Sequence, residues 1–275
     1  MRKILSVLLI AGITFSAAAQ KKSNVPGKIN WKNIKVLVYT KNGKGYVHAN
    51  RASGTSAIQQ LGKQYGFHVD VSDDPASFTD ANLKQYAALI FNNTNNEIFD
   101  NDAQKVALMR YVQAGGGFVG IHSATGSERQ WLWFKRLIGA SFLRHAKHQP
   151  FTEIIIDPSH PSTSFLPKHW KRDDECYFFK EYNPDIHVLV VHDLMPLDDK
   201  DKPTYYGGIS SPSVWCHEFD GGRQWYTSLG HDSTTYQTPE FQRHLMGGII
   251  WVIGKNKPLD YSKAYAKTPD DPLPY

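Results

Sequence analysis

Short apolar segments alternate with helix-like segments through the first half of this chain, and this alternation limits the possible folds more than any other feature. Four segments have the length and composition of buried strands, at residues 34–39, 67–71, 87–92 and 118–121. Two of the helix-like stretches end at glycines, near Gly66 and at the glycine triplet 115–117. Such alternation predicts an α/β fold with a doubly wound, mostly parallel sheet.

The second half of the chain has a different texture, because strand-like segments follow one another with little helix between them. Five such segments occupy residues 151–156, 176–180, 188–191, 214–219 and 225–229, and a helix is predicted over residues 239–253. These segments predict additional strands in the second half. We therefore expect one α/β domain over residues 34–254, followed by a C-terminal tail at 255–275.

The N-terminus has the order of features that is typical of a secretory signal peptide. Arg2 and Lys3 precede an apolar run at residues 4–19 that ends in three alanines. An uncleaved membrane anchor is the alternative, but the run is short and is interrupted by a glycine and a serine. We therefore predict a signal peptide at 1–19, a polar leader at 20–33, and a soluble protein exported to the periplasm or the extracellular space.

Charge and cysteine content narrow the possible partners and the redox chemistry. The formal net charge of the whole chain is +5, and the excess cations are few and scattered, so nucleic acid is not an expected partner. No segment after the signal peptide has the roughly 20 consecutive apolar residues of a membrane helix. The two cysteines, Cys176 and Cys216, could form a disulfide between neighbouring strands or remain as buried thiols. The sequence leaves both alternatives open.

Polar residues directly after the predicted strands are the first candidates for a site, because parallel sheets bind ligands at the carboxyl ends of their strands. His48 follows the first strand and its loop, Asn93 follows the third strand, and His122 follows the strand after the glycine triplet. His122 should lie at a tight corner between strand and loop, facing the cleft. A core histidine with backbone hydrogen bonds fits its position equally well.

A second group of candidates comes from two short predicted strands joined by a Gly-Gly turn. His217 lies within the first strand, Tyr226 lies in the second, and His231 follows the second strand after a glycine. Position alone favours a packed aromatic ring for Tyr226. Two further candidates are less specific: His145 follows a predicted helix, and Glu175 is expected to open a strand, where exposed acids are common.

Four sequence segments occur together in an order that is specific for one family. These are GGGFVGIHSA, DPSHP, DDECYFF and VWCHEFDGGRQWYTSLGHDSTTYQTPEFQRHLMGGIIW. Together they resemble the ThuA-like (trehalose-utilisation) family over about residues 34–254. The resemblance implies the class I glutamine-amidotransferase-like sandwich, which is related to flavodoxin-like folds and agrees with the alternation of strands and helices.

The resemblance also implies a role in the breakdown of trehalose and related sugars, with keto-glycosides from a partner sugar oxidoreductase as candidate substrates. Amidotransferases carry a nucleophilic cysteine at the turn that here holds a histidine, so glutaminase chemistry is not expected. The residues placed in the site by motif match are His48, His122, His145, Glu175, His217 and His231. We predict catalytic roles for His122, His217, His145 and Glu175, and substrate contacts from His48, His231, Asn93 and Tyr226.

Several histidines with one carboxylate allow two mechanisms. Imidazole titrates near neutral pH and can move a proton next to a sugar carbonyl, which would support isomerisation, elimination or hydrolysis without a cofactor. Alternatively, three of the six motif-matched residues could bind a divalent metal ion, although no close-spaced motif such as H-E-x-x-H is present. No G-x-G-x-x-G motif opens a helix after a strand, so a nicotinamide cofactor is not expected.

A non-catalytic carbohydrate-binding protein is the competing class. In that interpretation the histidines only hydrogen-bond sugar hydroxyls, and aromatic side chains stack on the sugar rings. The candidates for stacking are Trp131, Trp133, Trp215, Trp225 and Tyr236. The sequence does not separate this class from an enzyme, and it does not predict the oligomeric state.

Overall fold

The computed structural model of the protein describes residues 29–200, 210–254 and 258–273, so the predicted signal peptide and most of the predicted leader lie outside the described residues. The strands are β1 Lys35–Tyr39, β2 His68–Ser72, β3 Ala88–Asn92, β4 Gly117–Ile121, β5 Ser141–His145, β6 Gln149–Ile155, β7 His169–Asp174, β8 Tyr177–Lys180, β9 His187–Asp193, β10 Ser210–Phe219 and β11 Gly222–Thr227. The helices are α1 Arg51–Tyr65, α2 Asp80–Leu83, α3 Asp102–Gln113, α4 Leu132–Ile138 and α5 Pro239–Ile253.

Nine of the strands form one mixed sheet in the order β2-β1-β3-β4-β11-β10-β9-β6-β7. The first five in this order are parallel to one another, and the other four are joined by antiparallel pairing. β5 and β8 form a separate two-stranded antiparallel ribbon. The predicted α/β class, with a parallel sheet and added strands in the second half, is therefore confirmed.

The parallel strands are buried on both faces, because alternate residues of each strand point into two separate cores. In β1, Val36 and Val38 belong to the core that also contains side chains of α1 and α5, whereas Leu37 and Tyr39 belong to the core of α3 and α4. Each fully buried side chain of this size contributes roughly 1.5–3 kcal/mol. Helices on both faces therefore require the near-continuous apolar strands seen in the sequence.

Local signals begin and end several elements where the sequence predicts them. Gly66 ends α1 with a φ of 89°, a left-handed backbone that glycine adopts at little cost. Thr79 accepts a hydrogen bond from the backbone N–H of Asn82 and so caps α2.

The sequence does not predict two of the strands, β5 and β7. β7 is the edge strand of the sheet and carries exposed charged residues, which edge strands tolerate. Because of these residues, β7 has no apolar run that would predict a strand.

The described part of the C-terminal tail packs against the helical layer. The backbone N–H of Ala266 donates to Gln113 Oε1, and Trp131 Nε1 donates to the Pro269 carbonyl, both at 2.9 Å. The tail thus covers the end of α3 and the start of α4. None of the helices in the described ranges combines the length and the apolar character needed to cross a membrane.

The two cysteines are free thiols. Cys176 lies between β7 and β8, Cys216 lies on β10, and both side chains are buried in the same apolar core. Burial raises the pKa of Cys216 to about 12, which keeps this thiol protonated at neutral pH. Of the two alternatives that the sequence leaves open, the structure contains the buried thiols.

Candidate active site

β4 ends in a sharp turn at the carboxyl edge of the parallel strands. His122 follows Ile121 directly, starts a 3-10 turn and has a φ of 50°. This left-handed conformation costs an L-residue roughly 1–2 kcal/mol, and such strain is concentrated at functional sites. The corner position expected for His122 is therefore present, and it resembles the elbow that carries the nucleophile in α/β hydrolases.

Hydrogen bonds determine which nitrogen of the His122 ring carries the proton. Nδ1 lies 2.6 Å from the carbonyl oxygen of Ser228, and a carbonyl can only accept, so Nδ1 is a protonated nitrogen. In the neutral ring Nε2 then has the lone pair, and the Tyr177 hydroxyl donates to it at 2.8 Å. The neutral ring therefore presents an acceptor towards the polar groups around it.

Three more polar side chains surround the His122 ring, each from a different segment that follows a strand. His48 comes from the loop after β1, Glu175 from the link between β7 and β8, and His231 from the segment after β11. Glu175 Oε2 lies 3.0 Å from His231 Nδ1 and 3.6 Å from His122 Nε2. The His48 ring packs edge-on, with its centroid 4.9 Å from that of His122 and 5.7 Å from that of His231. These four residues are called the histidine cluster below.

Burial and mutual contacts set the charges in the histidine cluster. Burial opposes ionisation of Glu175, but its contacts with His122 and His231 outweigh this effect and hold the pKa of the carboxyl well below its usual range. The contact with Glu175 raises the pKa of His231. Burial, together with the neighbouring His122, lowers the pKa of His48 to about 3. At neutral pH the cluster therefore contains a carboxylate and a neutral His48 imidazole.

Buried polar groups hold the backbone that carries Glu175 and His231. The carboxyl group of Asp174 is fully buried and accepts the backbone N–H groups of Gly230, His231 and Glu175 at 2.9, 3.1 and 2.8 Å. Asn50 donates to the carbonyl oxygens of Gly230 and His231. Glu175 does not open a strand as expected; it follows Asp174, the last residue of β7. Sequence reasoning does not identify Asp174 as a residue of the site, although its position directly before Glu175 could have pointed to it.

His145 lies at the open side of the histidine cluster. It is the last residue of β5, and its Nδ1 lies 3.5 Å from Glu175 Oε1 and 2.7 Å from the carbonyl oxygen of Ala146. Both neighbours are acceptors, so Nδ1 carries a proton and Nε2 has the lone pair in the neutral ring. The His145 side chain is 42% exposed, against 23% for His231 and none for His122. His145 is therefore the most accessible of the imidazoles that contact Glu175.

The structure does not bring His217 to the histidine cluster. His217 lies on β10 in register with Gln224 of β11, which in turn pairs with Phe118 near the start of β4. His122 follows the opposite end of β4. His217 Nε2 instead contacts the carbonyl oxygen of Arg136 at 3.1 Å, and burial lowers the pKa of His217 to about 4. The predicted place of His217 in the pocket is therefore wrong. His217 lies towards the amino ends of the parallel strands, where it contacts α4.

Two predicted substrate contacts belong to the framework of the site. The Tyr226 ring is fully buried, and its hydroxyl donates to the backbone carbonyl of His122 at 2.7 Å, so it supports the turn from inside the core. Asn93 is also buried and has a φ of 54°. Its Nδ2 donates to the Asn92 side chain and to the Tyr236 hydroxyl, each at 2.8 Å. Both residues are corrected from substrate contacts to supports of the strand ends.

The aromatic residues that would stack on a bound sugar are not at the surface. Each of the five predicted stacking residues is at most 5% exposed: Trp131, Trp133, Trp215, Trp225 and Tyr236. The prediction that they form a sugar-binding platform is therefore wrong, because their rings fill the cores. Tyr46, which sequence reasoning missed, is 64% exposed, and its ring centroid lies 4.8 Å from that of His48.

Similarity to known proteins agrees with this architecture. A family model described as trehalose utilisation (ThuA) matches residues 35–252. A ThuA-like protein from Bacteroides uniformis ATCC 8492 is 23% identical, with a TM-score of 0.69 and coverage of 89% of this chain and 99% of the other. A ThuA-like protein from Parabacteroides merdae ATCC 43184 is 22% identical, with a TM-score of 0.65 and coverage of 88% and 95%. These two likenesses establish the fold. No curated protein is significantly similar to the chain.

Proposed function

This chain belongs to the ThuA (trehalose-utilisation) family, and from that premise we propose that it is a carbohydrate-processing enzyme that acts by proton transfer at the histidine cluster and the adjoining His145. The observation that carries the proposal is the convergence of three imidazoles and one carboxylate at the sheet edge where α/β folds bind ligands. His145 borders the cluster on its open side. Imidazole and carboxylate groups are well suited to proton transfer near neutral pH.

His145 is the residue that we assign to proton exchange with the substrate. Its ring is partly exposed, and Nε2 of the neutral ring has the lone pair that a general base needs. The Glu175 carboxylate lies 3.5 Å from the same ring. A proton taken up by His145 would form an imidazolium, and the neighbouring carboxylate would stabilise its charge.

A keto-sugar is the substrate class that suits this arrangement best. A carbon-bound proton next to a ketone is acidic enough for an imidazole to remove, whereas the carbon-bound protons of an unoxidised sugar ring are not. Isomerisation and elimination both begin with the loss of such a proton, and elimination followed by addition of water gives net hydrolysis of a glycoside. The ketone itself would be made by a partner sugar oxidoreductase.

Thiol chemistry of the amidotransferase kind does not fit this chain. The turn after β4 carries His122 in place of a cysteine. The two cysteines are buried in the apolar core, where burial raises the pKa of Cys216. A buried, protonated thiol is a poor nucleophile. We therefore do not propose glutamine hydrolysis.

Turnover of a keto-glycoside tests the proposed function directly. We expect the purified protein to convert 3-keto-trehalose or a 3-keto-glucoside and to leave trehalose and simple glucosides unchanged, as followed by NMR of the products. His145→Ala should lower kcat by about a hundredfold, the usual scale for loss of a general base. The variant should fold normally, because the His145 side chain is 42% exposed.

His187→Ala is the matched control for this experiment. His187 is an exposed histidine that pairs with Asp157 and lies opposite Cys216 in the sheet, so its loss should leave turnover at the wild-type level. Saturable binding of the keto-glycosides without any product would contradict the proposal and favour the carbohydrate-binding protein.

We also propose that the protein acts outside the cytoplasm, because residues 1–19 have the basic, apolar and small-residue order of a signal peptide. Expression of the full chain in a bacterial host should give a mature protein that begins near Gln20 and is found in the periplasm or the medium. N-terminal sequencing of the fractionated protein measures this. Protein that remains in the cytoplasm with its first residues intact would contradict export.

A further inference from the structure

One potential ligand atom from each of His48, His122, Glu175 and His231 lies within 4.8 Å of the other three. We propose that these four side chains bind one divalent transition-metal ion, with three imidazole nitrogens and one carboxylate oxygen as ligands. This inference deepens the proposed function, on which its catalytic meaning rests. Binding of the ion itself can be measured without any substrate.

Two buried nitrogens of the histidine cluster point towards the space between its side chains. His48 is 6% exposed, and its Nδ1 is buried with no partner there. His231 Nδ1 is also buried and faces the Glu175 carboxylate, with Oε2 3.0 Å away. Buried polar atoms are normally satisfied, because desolvation without a partner is unfavourable. A cation between these rings would satisfy His48 Nδ1 and would lie beside the Glu175 carboxylate that His231 Nδ1 faces.

The His122 ring is oriented in the way that metal-binding histidines usually are. Its Nδ1 donates to the Ser228 carbonyl, and this hydrogen bond fixes the tautomer in which Nε2 can bind a metal. The Ser228 hydroxyl lies 3.0 Å from the Ser213 hydroxyl, which donates to the buried Glu153. The Tyr177 hydroxyl at 2.8 Å from Nε2 would have to give up its hydrogen bond when the ion binds.

The donor set indicates the class of ion. Imidazole suits Zn²⁺, Fe²⁺, Ni²⁺ and Cu²⁺, whereas Mg²⁺ and Ca²⁺ prefer sites made of oxygen atoms. The side chains of Glu175 and His231 are 10% and 23% exposed, so the cluster is not sealed from solvent. A bound ion there would polarise neighbouring sugar oxygens. His145 is outside the four ligands and stays available for proton transfer.

Metal titration of the chelator-stripped, tag-free protein tests this site. We expect calorimetry to give one equivalent of Zn²⁺ or Ni²⁺ per chain, and we expect the bound ion to raise Tm. His48→Ala and His231→Gln should each weaken the affinity by about a hundredfold or more, because each removes one ligand. His231→Gln is included because this side chain is partly exposed, so the variant should fold. Circular dichroism checks the fold of each variant.

His148→Ala is the matched control for the titration. The His148 ring centroid lies 5.9 Å from that of His231, but its nitrogens face Asp173 and Asp232, so the variant should bind the ion with wild-type affinity. The proposal is overturned if no ion binds at one equivalent, or if folded His48→Ala and His231→Gln bind as tightly as the wild type. Stoichiometric binding without turnover of any keto-glycoside would contradict the proposed function and support the metal site. Turnover by a protein that binds no ion at one equivalent would support the proposed function and overturn the metal site.

Discussion

Replacing His122 by alanine is expected to lower kcat/KM for the keto-glycoside substrate by about a hundredfold or more, while the protein stays folded. The His122 ring lies at the centre of the histidine cluster, in contact with Tyr177 and Glu175. Loss of the ring removes His122 Nε2, the atom that the Tyr177 hydroxyl and the Glu175 carboxylate face. Steady-state kinetics measure the loss of activity, and circular dichroism shows whether the fold is retained.

His122→Gly separates the chemistry of the ring from the strain of its backbone. Glycine adopts the φ of 50° found at this position without the steric penalty of an L-residue, so this variant should be more stable than His122→Ala by about 1 kcal/mol. It should be equally inactive. Turnover at the wild-type level in either folded variant would remove His122 from the mechanism, and equal stability of the two variants would contradict the strain.

Asp174→Ala is expected to have the second largest effect, because one buried carboxyl group holds both loops of the site. The change leaves the backbone N–H groups of Gly230, His231 and Glu175 without their acceptor. We expect the free energy of unfolding to fall by about 3 kcal/mol, since each unsatisfied buried donor is costly. Displacement of the loops should lower kcat/KM by about tenfold to a hundredfold. Urea unfolding and steady-state kinetics measure the two effects.

Asp173→Ala is the control for this prediction, because it removes a neighbouring aspartate whose side chain is 66% exposed. Its free energy of unfolding should change by no more than about 0.5 kcal/mol. If Asp174→Ala is as stable as this control, the hydrogen bonds from Asp174 do not hold the loops together.

The elements of the parallel half were predictable because their signals are local. In β3 all five residues are buried and the first four are apolar, and the helix before β2 ends at a glycine with positive φ. β5 and β7 could not be predicted, because they lack such a local signal. In β7 buried and more exposed residues alternate, in β5 only Ser141 is buried, and both strands include charged side chains, so no buried apolar run marks them.

The site was predicted only in part. His48, His122, His231, Glu175 and His145 do meet, as the family resemblance implies. His217 does not, because β10 runs antiparallel to β11, so a residue near the hairpin turn lies towards the amino ends of the parallel strands. The direction of a strand in the sheet is not encoded in its own apolar pattern.

The sequence by itself determined the α/β class and the positions at which reactive side chains follow strands, because apolar periodicity and glycine punctuation act over a few residues. Only the tertiary structure decided which histidines share a pocket, that Asp174 ties two distant loops together, and that the tryptophans lie inside the cores. Contacts between distant segments depend on the order and direction of strands in the sheet, and these are set by the packing of the whole chain.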